Sequence, residues 1–153
     1  MSKIRKTLQP APAFPATHRA LQLAAIACFA ISSEKEGYPI EHALEEGPGQ
    51  WRAAEDGPQT IRITFDKPQS VSHIGMIFEE HEIARSQEFV LLARHEGSDD
   101  WNSIVRQQFN FSPPGTVRQS ENYAVNLAAV SELELFINPG GGCASLSYLF
   151  LNS

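Results

Sequence analysis

The densest chemistry in this chain is the run Glu79-Glu80-His81-Glu82, with Arg85 following. Carboxylates beside an imidazole are the side chains of a metal site or of acid-base catalysis. Consecutive residues in an extended chain point to opposite faces, so these neighbours converge on one ion only if a special loop folds them together. The spacing therefore reads as a solvated connection between strands. Within it Glu80 and Arg85 are the pair of interest, as a loop-fixing ion pair or a ligand clamp. A second cluster is Gly49-Gln50-Trp51-Arg52. An indole stacks on the apolar face of a sugar ring, and a guanidinium donates a fork of hydrogen bonds to hydroxyls or a carboxylate. The competing reading has Trp51 plugging the core, as large aromatics mostly do, with Arg52 closing a loop. Tyr38 and His42 flank the same region. They either contact a small ligand or serve as a core cover and an exposed imidazole. Gly140-Gly141-Gly142-Cys143-Ala144-Ser145 lacks both a strand-to-helix elbow and an oriented histidine, so it reads as a hairpin connection and not as a nucleophile loop. It also lacks the Lys-Ser/Thr ending of a phosphate loop. No catalytic residue is assigned.

The elements that must position these groups read as short strands. Gln59 to Phe65 alternates, with Ile61, Ile63 and Phe65 facing in and Thr60, Arg62 and Thr64 facing out. Asp66-Lys67-Pro68-Gln69 then reads as a turn. Val71 to Phe78, with Ile74 and Met76, is apolar enough for a central strand. Glu88 to Arg94, with Phe89 and Leu91, is closed by the turn Glu96-Gly97-Ser98-Asp99-Asp100. Trp101 to Phe109 follows, and Pro113-Pro114 stops any ladder beyond it. Tyr123, Val125 and Leu127 alternate, as do Leu133, Leu135 and Ile137, and Leu146 to Leu151 reads as the last strand. With Ala20 to Ile31 as the first, roughly eight strands and no long amphipathic helix predict an all-β, antiparallel jelly-roll sandwich.

The 153 residues suit one domain. Residues 1–18 are polar and proline-rich and are expected to form a loose arm, with the domain spanning 19–153. A formal charge of -6 argues against nucleic acid and anionic membrane as partners. Lys3, Arg5, Lys6 and Arg19 ahead of an apolar stretch resemble an export signal, and Ala25-Ile26-Ala27-Cys28 imitates a lipoprotein box. Prolines 10, 12 and 15 and the interruption at Gln22 favour a retained strand and a cytoplasmic protein, with export or lipoprotein anchoring as the alternative. The stretch is too short to span a bilayer. Cys28 and Cys143 read as small buried hydrophobes, or else as one disulfide between first and last strands.

Several segments together carry a family resemblance: Ser32-Ser33-Glu34, Ala43-Leu44 followed by Trp51, Pro58 to Ile63, Arg85 to Phe89, Arg106 to Gly115, and Ala144-Ser145-Leu146. Positions 20 to 151 resemble the discoidin or coagulation-factor C-type, galactose-binding-like superfamily, and within it bacterial proteins labelled carbohydrate-binding. The resemblance implies a non-catalytic binding module, most simply for a carbohydrate, whose ligand meets loops carrying Tyr38, His42, Trp51, Arg52, Glu80 and Arg85. The alternative is a structural or protein-interaction domain using a sheet face or edge. Such folds often hold calcium near the Ala-Leu hook with the help of a Glu in the final strand. Here Ser145-Leu146-Ser147-Tyr148-Leu149 carries no acid, and calcium wants six or more oxygens, so neither this metal nor any other cofactor is expected.

Overall fold

The computed structural model describes residues 20–153; the expected arm lies outside them. Its strands are β1 (Ala27–Ile31), β2 (Trp51–Asp56), β3 (Gln59–Glu79), β4 (Arg85–His95), β5 (Asn102–Phe111), β6 (Arg118–Asn138), β7 (Cys143–Leu146) and β8 (Tyr148–Asn152). All pairings are antiparallel. A six-stranded sheet runs β1-β3-β6-β4-β5 with β8 also on β3, and β2 pairs with β7 in a separate two-stranded sheet. Among the described residues no helix is long and apolar enough to cross a membrane.

The sandwich is closed by two long strands that serve both layers. The first half of β3 pairs Gln59–Thr64 with Glu132–Ile137 of β6, beside β1 and β4. Its second half pairs His73–Glu79 with Arg118–Ala124, and its other edge takes β8. The register slips between these halves, where Pro68 has no N–H to give the ladder and Ala129 adopts a φ of 51°. Phe78, at the end of β3, stacks 5.3 Å from Phe89 of β4 and 5.6 Å from Phe109 of β5. Neither is its neighbour in the sheet, so these rings meet across the core.

The eight-stranded antiparallel sandwich is as expected, but its strands are divided differently. Asp66–Gln69 is a lapse inside one strand and does not reverse the chain, and the Tyr123 and Leu133 segments belong to one β6. The single last strand is two: β7 leaves for β2, while β8 returns to β3. Only Ala27–Ile31 of the expected first strand is extended, because Leu23–Ile26 forms a helical turn, α1, that drives Leu23 into the core. Trp51-Arg52 opens a strand, not a loop. Ile61, Ile63, Phe65, Ile74, Met76, Phe89, Leu91, Leu135, Ile137 and Leu146 are buried as expected, whereas Val125 is half-buried near an open edge. The cysteines are not the buried pair the residue type suggested. Cys28 points out of the edge strand β1 and is exposed, Cys143 is partly exposed, and both are free thiols.

Trp51 is fully buried, and its Nε1 donates to Ser33 O at 3.1 Å. Replacing it with alanine removes the largest core side chain and frees that carbonyl. Trp51→Ala should lose about 3–5 kcal/mol in a denaturant titration; a loss below about 1 kcal/mol would show that the ring is not a core element.

Candidate functional site

The loops after β1, β2, β3 and β6 gather at one end of the sandwich. Ser32-Ser33-Glu34 organises the first of them. Ser32 Oγ and Ser33 Oγ both donate to Gln59 Oε1, at 2.6 and 2.7 Å, while Ala54 N–H donates to Ser33 Oγ at 3.0 Å. Glu34 Oε2 accepts the N–H of Ile40 at 3.1 Å, which starts the short 3-10 turn Ile40–Ala43. These bonds hold the long first loop against the entry of β2 and β3.

Alternation along β2 does the rest. Trp51 and Ala53 point into the core, so Arg52 and Asp56 point out of it. The register places Arg52 opposite Ser145 and Asp56 opposite Cys143. Ser145 Oγ donates to Glu79 O at 3.0 Å and ties β7 to the end of β3. Together with the β3–β4 loop, these residues enclose a cavity of about 270 Å³ lined by Arg52, Asp56, Glu80, Glu82, Ile83, Gly142, Cys143 and Ser145.

The floor of that loop is an ion pair. Arg85 Nε donates to Glu80 Oε1 at 2.7 Å, with side-chain exposures of 2% and 12%. Arg85 Nη1 donates to Gln87 Oε1 at 2.6 Å and Pro139 O at 2.8 Å, and its guanidinium lies 4.9 Å from the centre of the Phe111 ring. Glu80 Oε2 accepts the N–H of Glu82 at 3.1 Å, which curls the loop back on itself. Burial pushes the Glu80 carboxyl up, but the Arg85 hydrogen bond, the Glu82 N–H and the Arg85 charge together hold it below its ordinary 4.5. Gly140 lets the β6–β7 loop close on the same floor. Its φ is +70°, and an added Cβ would sit 1.9 Å from Ser86 O.

At the other wall the Arg52 guanidinium lies 5.3 Å from the centre of the Tyr38 ring, and its Nε is buried with no partner among the described residues. Cys143 Sγ donates to Asp56 Oδ1 at 3.2 Å. Burial and this carboxylate raise the thiol above its ordinary 9.0. It is therefore a protonated donor and not a thiolate.

The structure brings Arg52 and Glu80 together at the cavity, with Tyr38 behind Arg52 and Arg85 beneath Glu80. Arg85 does not reach a ligand as a clamp: it is buried, with Nε given to Glu80 and Nη1 to Gln87 and Pro139, so it positions the loop. Trp51 presents no face to a ligand because it is buried. His42 is exposed on the 3-10 turn beside Gly49 and does not line the cavity. Asp56, Glu82, Ile83, Gly142, Cys143 and Ser145 were not anticipated. Asp56 reaches the cavity across a register irregularity in β2, and Cys143 and Ser145 arrive only through a ladder between distant strands. Among the described residues no group of three or more His, Cys, Asp or Glu side chains stands close enough to hold a metal.

Solved structures match this architecture along most of the chain. A family 32 carbohydrate-binding module of NanJ from Clostridium perfringens, in complex with galactose, superposes with a TM-score of 0.66 at 16% identity, covering 89% of this chain and 99% of that one. The fold is that of the discoidin-type, galactose-binding-like β-sandwich. An F5/8 type C domain from Bacteroides fragilis superposes with a TM-score of 0.60 at 18% identity over 91% of this chain and 98% of that one. A family 32 module of AlyQ, in complex with 4,5-unsaturated mannuronic acid, does so with a TM-score of 0.57 at 13% identity over 82% and 94%. No protein-family model and no curated protein matches the sequence.

The ion pair gives this β-sandwich a defined response to acid. A carboxylate whose folded-state pKa is depressed stabilises the fold above its unfolded pKa, and loses that contribution as pH falls through the folded value. Glu80→Gln, which leaves Arg85 buried without its counter-charge, should be about 3 kcal/mol less stable than the parent near pH 7. The difference should shrink as pH drops below 4.5. Denaturant titrations at neutral and acid pH check this; a difference independent of pH would remove the ion pair from the description.

Proposed function

We propose that this protein is a non-catalytic sugar-binding module whose ligand enters the loop-end cavity. The observation that carries this reading is the Arg52 guanidinium at the wall of this cavity, held 5.3 Å from the Tyr38 ring and set among the carboxylates of Asp56, Glu80 and Glu82. Around it the cavity offers acceptors at Asp56, Glu80 and Glu82 and a donor fork at Arg52, the mixture that vicinal hydroxyls require. The groups are fixed before any ligand arrives, through the Glu80–Arg85 floor and the β2–β7 register, which lowers the ordering cost of binding. The carbohydrates named for the neighbouring folds support the same class of ligand.

The chemistry of the cavity is that of binding. Its thiol is kept protonated by burial and by Asp56, and Glu80 is committed to Arg85. Neither is poised to attack or to shuttle a proton.

A neutral monosaccharide at a hundred times its Kd should stabilise the protein by about 2.7 kcal/mol. Arg52→Ala should keep the melting temperature of the free protein within a few degrees and weaken sugar binding at least about tenfold, as expected for a charge-assisted hydrogen bond. Calorimetric titration of both proteins decides it. Undiminished binding by Arg52→Ala would place the site elsewhere.

A further inference from the structure

A strand at the edge of a sheet presents a row of unpaired N–H and C=O groups, and proteins blunt such edges with charges, prolines or covering segments. Most edges of this sandwich are managed in that way. β5 carries Arg106, and the first half of β6 carries Arg118 and Glu121. β8 is taken up at Leu151, whose carbonyl accepts the Leu21 N–H at 2.8 Å. Beside the cavity the Arg52 carbonyl of β2 accepts the Lys35 N–H at 2.8 Å, and Ser147, just past β7, donates its N–H to Ile77 O at 2.8 Å. β1 is different. Ala27-Cys28-Phe29-Ala30-Ile31 pairs with β3 alone and contains neither a charge nor a proline.

The register says which of its groups are free. Ser32 N–H donates to Thr60 O at 3.0 Å, one step beyond Ile31 opposite Ile61. Bonded and non-bonded pairs alternate in an antiparallel ladder, so Cys28 and Ala30 bond to β3 while Ala27, Phe29 and Ile31 turn their backbone groups outward. The Ala27 N–H agrees, since it turns away from β3 to Leu23 O of α1. Phe29 and Ile31 keep N–H and C=O without a partner among the described residues. Along this edge runs a cavity of about 290 Å³ lined by Ala24, Phe29, Ile31, Ile40, Glu41 and Leu44, in which Glu41 is the one charged side chain. On the opposite face Cys28 and Ala30 are exposed.

A second copy of this chain answers these features with one operation. About a twofold axis at Phe29, each strand offers the other the same outward groups in reverse order, so donors meet acceptors without a separately shaped partner. Phe29 meets Phe29 of the second copy, and Ile31 meets its Ala27. The same operation sets one apolar groove beside the other. Copies of a chain with a formal charge of -6 repel one another, and an uncharged edge is where that repulsion opposes contact least.

We infer that the protein is a twofold dimer in which β1 pairs antiparallel with β1 of a second copy about Phe29, joining two six-stranded sheets into one. β1 enters the loop end at Ile31, so antiparallel pairing sends the two loop-end cavities to opposite ends of the dimer. On the sugar-binding reading above, such a dimer bridges two glycans and does not grip one surface.

Sedimentation equilibrium of the full chain should give twice the 16.9 kDa of one copy. The register is tested by cross-linking. Cys28 falls opposite Ala30 of the second copy at a non-hydrogen-bonded pair, where Cα atoms lie about 4.5 Å apart, within disulfide reach. Mild oxidation of Ala30→Cys should therefore give a covalent dimer on a non-reducing gel. The parent and Cys28→Ser/Ala30→Cys, whose cysteines do not face one another, should not. Cys28→Lys/Ala30→Lys sets like charges directly opposite at exposed positions, so its circular dichroism should match the parent while its dimer dissociates at least about tenfold more readily. Mixing it with Cys28→Glu/Ala30→Glu should restore a dimer. A parent with the mass of one chain would overturn the inference. So would a dimer that the lysine variant leaves as tight, or one in which Ala30→Cys does not cross-link, because its interface would lie elsewhere. None of these results bears on the loop-end sugar site, which the Arg52→Ala titration judges separately.

Discussion

One buried guanidinium holds the loop end of this molecule together. Arg85 reaches Glu80 in the β3–β4 loop, Gln87 in its own strand, and the carbonyl of Pro139 in the β6–β7 loop, while its flat face rests on Phe111 of β5. Taking such a charge out of water is costly, and the cost is offset only because each of these contacts is in place at once. The two loops that frame the cavity are therefore not independent appendages. They are joined through a group that neither can release alone.

The sandwich below supplies the rigidity. Because β3 and β6 each run through both layers, a shift at one end of either strand is carried into both sheets. The irregularities near Pro68 and Ala129 lie at the point where each strand passes from one layer to the other. Near the cavity Phe78 and Glu79 pair in register with Gln119 and Arg118, and Ser145 takes the Glu79 carbonyl, while β2 slips against β7 between Arg52 and Asp56.

Strand positions were legible wherever one face is wet and the other dry. The alternation of Ile61, Ile63 and Phe65 with Thr60, Arg62 and Thr64 states its own geometry, and the burial follows it. Strand continuity was not legible at Asp66–Gln69, where turn-forming residues mark a bulge as readily as a reversal. Nor was β2 visible, because Ala53 and Ala54 give no polar alternation to read. In the site, Glu80 and Arg85 were recognisable as partners because five residues of loop suffice to bring them together. The burial of Arg85 was hidden, since a charged side chain signals surface until its partners are known. Cys143 and Ser145 became neighbours of Asp56 and Arg52 only through the β2–β7 register, which no local pattern encodes.

The claim at the centre is that ligand binding belongs to the loop end and to none of the sheet faces or edges. Amide chemical-shift mapping of the isotope-labelled protein during titration with a neutral sugar tests it most directly, because it reports every residue at once. The perturbed amides should cluster at Arg52, Asp56, Glu82, Ile83 and Gly142, with the strand interiors unmoved. Perturbations running along the outer strands of either sheet, with the loop end silent, would contradict it.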